Sequence, residues 1–416
     1  MAFGPLPFLF WRINMPSAAQ TAEQYHSLVK NRISVQSLFP LKQWVPRKIF
    51  PKFRFHWNAI WTHRLALEVA CQMRESRGYA NFLNELVDYH KAYSQLYSTM
   101  PLCTNKSISH YIGLCALDAL VGTSDEKNLI TLDEAFSRTV KDGAFTEGAH
   151  YSKYVTDCFD RGFALFNEVY GQNDNIILRS AWSHILHNLQ KVKLWQQLIS
   201  DTDGVMAVIG DGWYEKVEPI NEDGFFYYQD MTIQRSNEWV AIKNHRQNPF
   251  SLHQHPHGDE ILIAHQNDWL IKGSGMPSYK KVMAKPWKWR TPNNHFSTET
   301  IWDWWIIWRH RVGWSKDKAN SRVVDIKGNT LIIRDMGKKV VRFPGNRAKV
   351  ANGILLLWSH GKFTFSVEGI NIKLLGPNTA YASTTYGNEE AIPVIRISGE
   401  NIITRISVND TERTNG

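Results

Sequence analysis

Asp142 to Tyr154, DGAFTEGAHYSKY, gathers four groups that can move a proton or meet a charge: Glu147, His150, Tyr151 and Tyr154. Asp142-Gly143 is a turn pair. Apolar groups recur at helical spacing through Tyr151, Tyr154, Val155, Cys158, Phe159, Gly162, Phe163, Phe166 and Val169, so a helix begins near Gly148. A helix N-terminus carries partial positive charge and stabilises a nearby anion, a tyrosinate included. The plainer alternative is that both tyrosines are core or boundary residues of an amphipathic helix.

The second group of candidates is SLHQHPHGDE, where His253, His255, His257 and Asp259 alternate. In an extended segment alternate residues face one way, so all four can share a face. Neutral imidazole is both a common metal ligand and an acid or base near neutral pH. A solvated His-rich loop is the alternative. His295, in TPNNHFS, is a further candidate that could converge from a neighbouring strand. Lys106 and His110 lie four apart and share a helix face beside Asn105 and Ser109. That stripe lines either a cleft or a solvated surface. Trp289 and Arg290 in WKWR, followed by IWDWWIIWRHRVGW from Ile301 to Trp314, suit a wall that stacks sugar rings and pairs with carboxylates. The same run also reads as sheet core.

These groups must be positioned by two textures of chain. Residues 1–54 are broken by prolines and read as an irregular arm with a basic, aromatic-interleaved end. From 55 to 205 the pattern is helical, with helices expected over about 56–75, 79–98, 105–121, 131–140, Glu147 to Tyr170 and 175–200. From 206 to 416 the segments become short, aromatic and β-branched, separated by turn signals such as Asp223-Gly224 and Lys327-Gly328-Asn329. Strands without intervening helices predict an antiparallel sandwich, with strands near 224–235, 238–245, 259–265, 268–272, 294–301, 302–309, 321–326, 329–335, 339–343, 353–359, 363–367, 371–375, 393–398 and 402–408. The fold class expected is therefore α+β: a helical domain followed by a β domain.

Composition narrows the partners. The formal net charge of +9 steers toward anions such as acidic polysaccharide, nucleic acid or anionic lipid, and 17 tryptophans favour sugar stacking. No recognition helix or RNA-binding motif accompanies the charge, so nucleic acid is not expected. No run reaches transmembrane length. Phe3 to Trp11 is apolar but lacks a basic start and a small-residue cleavage site, so it reads poorly as a signal peptide. Cys71, Cys103, Cys115 and Cys158 have no CxxC spacing and fall in helical territory, where buried thiols are common.

In this order, DGAFTEGAHYSKY, HPHGDEILIAHQNDWLIKGSGMPSY (His255 to Tyr279) and the His295 segment resemble the heparinase II/III-like polysaccharide lyases. The resemblance implies an incomplete (α/α) toroid followed by a layered antiparallel β-sandwich. It implies β-elimination on a uronate-containing polysaccharide, the acidic partner, in a periplasmic or extracellular setting, with a cytoplasmic one still open. Tyr151 matches the catalytic tyrosine, with Tyr154 as the register alternative, and His255 matches a cleft histidine. Glu147, Asn105, Lys106, Trp289 and Arg290 fall to substrate binding. Relatives often carry Asn-His where this chain has Asn105-Lys106, so Lys106 by charge or His110 by imidazole takes the missing role. Some relatives hold a structural zinc at positions matching His257, Gly273 and His295. Glycine has no ligating side chain, so Asp259 or His265 substitutes, or the site is empty. A uronate C5-epimerase and a non-catalytic polysaccharide-binding protein are the alternative functions.

Overall fold

The structure is a computed structural model. It describes Leu67, Ala70, Cys71 and residues 105–121, 125–210, 212–228, 231–244, 260–273 and 322–335, together with the strands between 339 and 408. The arm, the His253–Asp259 segment, Trp289, Arg290, His295 and the tryptophan run 301–314 lie outside the described residues. The chain divides into two compact units, each discontinuous in sequence: residues 1–140 with 154–190, and residues 141–153 with 191–416.

The first unit is helical. Helix α1 (Asn105–Val121) is buried along nearly its whole described length, which is why its sequence carries no clean amphipathic stripe. Helix α2 (Glu126–Thr139) starts five residues before the expected 131, because Asp125 caps it by accepting from the Lys127 amide at 2.9 Å. A hairpin follows, β1 (Val140–Lys141) and β2 (Ala144–Phe145), with Asp142 and Gly143 both at positive φ. Helix α3 (Ala149–Phe166) runs into a π-helical turn, Asn167–Gly171, and α4 spans Ile176–Leu198. Phe163, expected inside, is 44% exposed although it precedes the wide turn. At the turn the buried stripe changes phase: Val169, expected inside, is partly exposed, while Tyr170 is buried and donates its hydroxyl to the Cys115 carbonyl at 3.0 Å. Burial pushes the Tyr170 phenol far above its ordinary range and raises the Cys115 thiol, so both are packing groups. Cys71, Cys115 and Cys158 are buried.

The second unit is built on antiparallel sheets. A five-stranded sheet runs in chain order: β3 (Gly224–Tyr228), β4 (Met231–Arg235), β5 (Trp239–Asn244), β6 (Glu260–His265) and β7 (Asp268–Ile271). The single long strand expected over 224–235 is instead a hairpin, with Tyr228 paired to Met231. Alternation alone cannot separate one strand from two that fold back in phase. After these come β8 (Arg322–Lys327), β9 (Thr330–Asp335), β10 (Lys339–Arg342), β11 (Arg347–Ala351), β12 (Ile354–Ser359), β13 (Phe363–Glu368), β14 (Asn371–Ala382), β15 (Glu390–Ser398) and β16 (Ile402–Val408). Of these, β11 has no counterpart among the expected strands, and β14 runs past the expected 375 through a register shift between Leu375 and Ala380. A six-stranded sheet has the order β11-β12-β13-β16-β9-β8, and a three-stranded one β10-β15-β14.

The five- and six-stranded sheets share one core. Trp239, Ala241, Ile261, Ile263 and Ile271 pack with Leu331, Ile333, Phe363, Val367, Ile402 and Ile406. Two polar links stitch the sheets: the Trp239 indole donates to the Gly328 carbonyl at 3.2 Å, and the Lys243 ammonium to the Arg322 carbonyl at 2.7 Å. Among the described tryptophans, Trp182, Trp195 and Trp239 are fully buried, so part of the tryptophan excess is core. Among the described residues no helix is long and apolar enough to cross a membrane.

Arg322 and Asp335 are cross-strand partners of β8 and β9, and their side chains are 0% and 1% exposed with Nε to Oδ1 at 2.6 Å. Removing one member of such a pair strands the other charge in the core. Asp335→Ala should therefore cost about 3–5 kcal/mol of stability, read by urea denaturation, whereas changes at exposed Lys327 should move it by under about 0.5 kcal/mol.

Candidate active site

The stretch from Asp142 to Lys153 belongs to the sheet-bearing unit, and the first turn of α3 is fixed there by a loop from far along the chain. Residues 199–217 fold back on themselves: isolated bridges join Ser200 to Met206 and Val205 to Lys216, and the Ala207 amide donates to the Ile199 carbonyl at 2.9 Å. The loop then meets the helix start. The Ala149 amide donates to the Ile209 carbonyl at 3.4 Å. A Cβ at Gly148 would lie 2.2 Å from that Ile209 oxygen, so only glycine lets the two backbones approach so closely. Gly148 in turn serves the helix, its carbonyl accepting from the Ser152 amide at 3.2 Å. On the inner side, Ser152 accepts from the Gln196 amide at 3.0 Å, tying the same turn to the end of α4.

Three side chains of this turn differ in exposure. Glu147 is 2% and His150 7% exposed, while Tyr151 is partly exposed. His150 Nδ1 stands 3.0 Å from Glu215 Oε1. Its ring lies 4.0 Å from that of Trp213 and meets Tyr151 edge-on at 5.2 Å. Tyr154, one turn further on, has its hydroxyl oxygen buried. As residues Tyr151 and Tyr154 are both partly exposed, so the choice between the two registers rests on the resemblance.

The remaining expectations separate. On α1, Asn105, Ser109 and His110 are 1%, 3% and 0% exposed. They are interior residues of the helical unit and not a solvated helix face. The His110 ring meets Tyr111 edge-on at 5.1 Å. Lys106 begins the same helix. His265 cannot serve as a substitute metal ligand without leaving the core, where its ring packs edge-on against Trp239 at 4.5 Å and Phe363 at 5.1 Å. Gly273 offers neither a ligand nor room for one, since a Cβ there would sit 2.0 Å from the Val208 carbonyl oxygen. The Glu260 carboxylate passes 3.6 Å from that Cβ position, 1% exposed and accepting from Asn244 at 3.0 Å. Among the described residues no three His, Cys, Asp or Glu side chains converge as a metal site. His255, His257, Asp259, Trp289, Arg290 and His295 lie outside the described residues.

Two groups that support the site went unmarked in the sequence. Glu215 is 65 residues from its partner His150, beyond any local period. Asp201 is fully buried. Its Oδ1 accepts from the amides of Asp203 and Val205 at 3.0 and 2.8 Å, closing the turn that starts the loop, while Oδ2 has no hydrogen-bond partner. Burial raises the Asp201 carboxyl above the usual carboxylate range, with the backbone bonds opposing.

No protein-family model matches the sequence, and no curated protein matches it by sequence. Solved structures do. The fold is that of heparan sulfate lyases and heparinases. A mutant of heparan sulfate lyase HepC from Pedobacter heparinus superposes with a TM-score of 0.57 at 12% identity, covering 94% of this chain and 73% of that one. A heparinase III with methylated lysines gives a TM-score of 0.59 at 14% identity, covering 94% and 74%.

Asp201 yields a signed pH test. A carboxyl whose folded pKa is raised stabilises the fold below its unfolded value and loses that contribution as pH rises through the folded one. Asp201→Asn keeps the Oδ1 acceptor and removes the titration. The variant should therefore gain stability relative to the wild type as pH rises from about 4 to 7, read as the difference in thermal midpoints.

Proposed function

We propose that this protein is a polysaccharide lyase that cleaves a uronate-containing polymer by β-elimination, with Tyr151 as the proton-transfer group. One juxtaposition carries the reading. A partly exposed tyrosine stands on the first turn of α3, against the ring of buried His150, in a chain that shares its fold with heparan sulfate lyases. The family resemblance of DGAFTEGAHYSKY points to the same tyrosine.

The chemistry follows from the substrate. The proton at C5 of a uronate is weakly acidic, and its removal builds negative charge on the adjacent carboxylate. Donors aimed at that charge lower the barrier, and the loss of one costs on the order of 3 kcal/mol. Tyr151 must act as phenolate to take the proton. The positive end of α3 favours that state, because Tyr151 lies within the first turn, where the helix field is strongest. The returning proton goes to the 4-linked oxygen as it leaves, and an unsaturated sugar remains. Buried Glu147 acts on the helix start and not on the sugar.

The finer parts of the reading travel with it. The helices belong to an incomplete toroid and the sheets to a layered sandwich, with the change of texture at about 205 and an arm over 1–54. His255, Trp289 and Arg290 take the substrate-facing roles that the resemblance implies, while Asn105 and His110 are interior residues of the helical unit. Because Gly273 and His265 are both committed elsewhere, a structural zinc on His257 and His295 would draw its next ligand from Asp259. No step of the reaction passes through a metal.

The test is a panel of uronate polymers, alginate, hyaluronan, chondroitin, heparan and capsular material, followed by the ultraviolet absorbance of the unsaturated product. Wild type should release product from at least one. Tyr151→Phe should lose roughly 10²–10⁴-fold in rate while folding normally, and Tyr154→Phe should stay within a few-fold. Absence of product across the panel sinks the reading. Solvent deuterium entering C5 without cleavage would make the protein an epimerase instead.

A further inference from the structure

We infer that His150, clamped by Glu215, is the residue that positions Tyr151; the inference rests on Tyr151 being the proton-transfer group and deepens that reading. A buried imidazole needs a partner for its N–H. The Glu215 carboxylate can only accept, so Nδ1 carries the proton, and the 3.0 Å bond fixes both the tautomer and the ring plane. Trp213 lies against the ring, with centroids 4.0 Å apart and planes at 44°. Gly212 closes the third side: a Cβ there would lie 2.5 Å from His150 Cβ. Bond, ring contact and backbone together leave the imidazole one place to stand.

That place borders the tyrosine. The two rings meet at 71° with centroids 5.2 Å apart, an edge-to-face geometry. Tyr151 turns about two side-chain torsions only, so an immovable ring on one flank removes part of its freedom. A base held near its productive geometry gains rate that a wandering base forfeits. Glu215, with its side chain 28% exposed, acts through His150. Trp213 and Glu215 both come from the loop that meets the start of α3, so that loop is part of the site and not a mere connector.

Two substitutions separate the bond from the ring. His150→Asn retains an amide donor near the Nδ1 position without the ring, and His150→Phe retains a ring without the donor. Glu215→Gln keeps an acceptor, and Glu215→Ala removes it without touching the helix. Tyrosine labelled with carbon-13 at Cζ, with Tyr151 assigned through Tyr151→Phe, reports the phenol whether or not the protein turns over a polymer. Wild type and Glu215→Gln should give one narrow Tyr151 resonance, and His150→Asn, His150→Phe and Glu215→Ala a broadened or doubled one. On a cleaved polymer the last two should lose roughly 10- to 100-fold in kcat with KM within about threefold of wild type. One narrow resonance in all four variants overturns the inference, and should His150→Phe fail to fold, Glu215→Ala decides alone. A Tyr151→Phe protein as active as wild type removes Tyr151 as the proton-transfer group instead, and the resonance still decides whether His150 positions the tyrosine.

Discussion

A single guanidinium closes the end of α4. Arg235, on β4 and 5% exposed, donates through Nη1 to the carbonyls of Leu198 at 2.9 Å and Ser200 at 2.5 Å, and through Nη2 to that of Ile220 at 3.2 Å. The last carbonyls of a helix have no partner within it, and they carry partial negative charge. A buried cation there satisfies the helix end and its own desolvation at once. Burial pulls the guanidinium's affinity for its proton down, and the fields of Asp223, Asp201 and Glu222 oppose that. With one planar group, β4 is thus bound to both ends of the connector that leaves the helix.

Everything near Tyr151 depends on that connector. Held at Ser200 and at Ile220, it can fold back through its own bridges and present Ile209, Gly212, Trp213 and Glu215 to the first turn of α3. Its turn is closed by Asp201, and the Trp269 indole from β7 holds the Val205 carbonyl at 3.1 Å. The polar bonds are few, and those from Arg235 to the Leu198 and Ser200 carbonyls are buried, so breaking them would leave orphaned groups. Such networks fix one arrangement sharply. A site that needs a tyrosine oriented to a fraction of an ångström gains from a neighbourhood with no second way to pack.

Much of this was legible in the sequence. Helices α1, α3 and α4 stand within a residue or two of their expected starts, because their apolar spacing is long and regular. The Asp142-Gly143 turn, the helix start near Gly148 and β5, β6, β7 and β16 were equally plain. The failures have definite causes. A capping aspartate starts α2 early, a π-helical turn moves burial from Val169 to Tyr170, and a hairpin in phase with itself reads as one strand. The stripe on α1 looked like a polar face, but the helix is wrapped on nearly every side, and helical spacing cannot say how many sides are covered.

Sequence alone determined the order of helices before strands, the turn and helix start that carry Tyr151, and the positive charge that favours an anionic polymer. These are local or additive properties, set by spacing and composition. Only the tertiary structure decided that Tyr151 is partly exposed while the Tyr154 hydroxyl is buried, that His265 is spent in the core and that Gly273 has no room for a ligand. Only it joined Glu215 to His150 and Arg235 to the end of α4. Each of these is a contact between residues tens of positions apart, and such contacts are chosen by packing and by the need to satisfy buried polar groups, neither of which leaves a period in the chain.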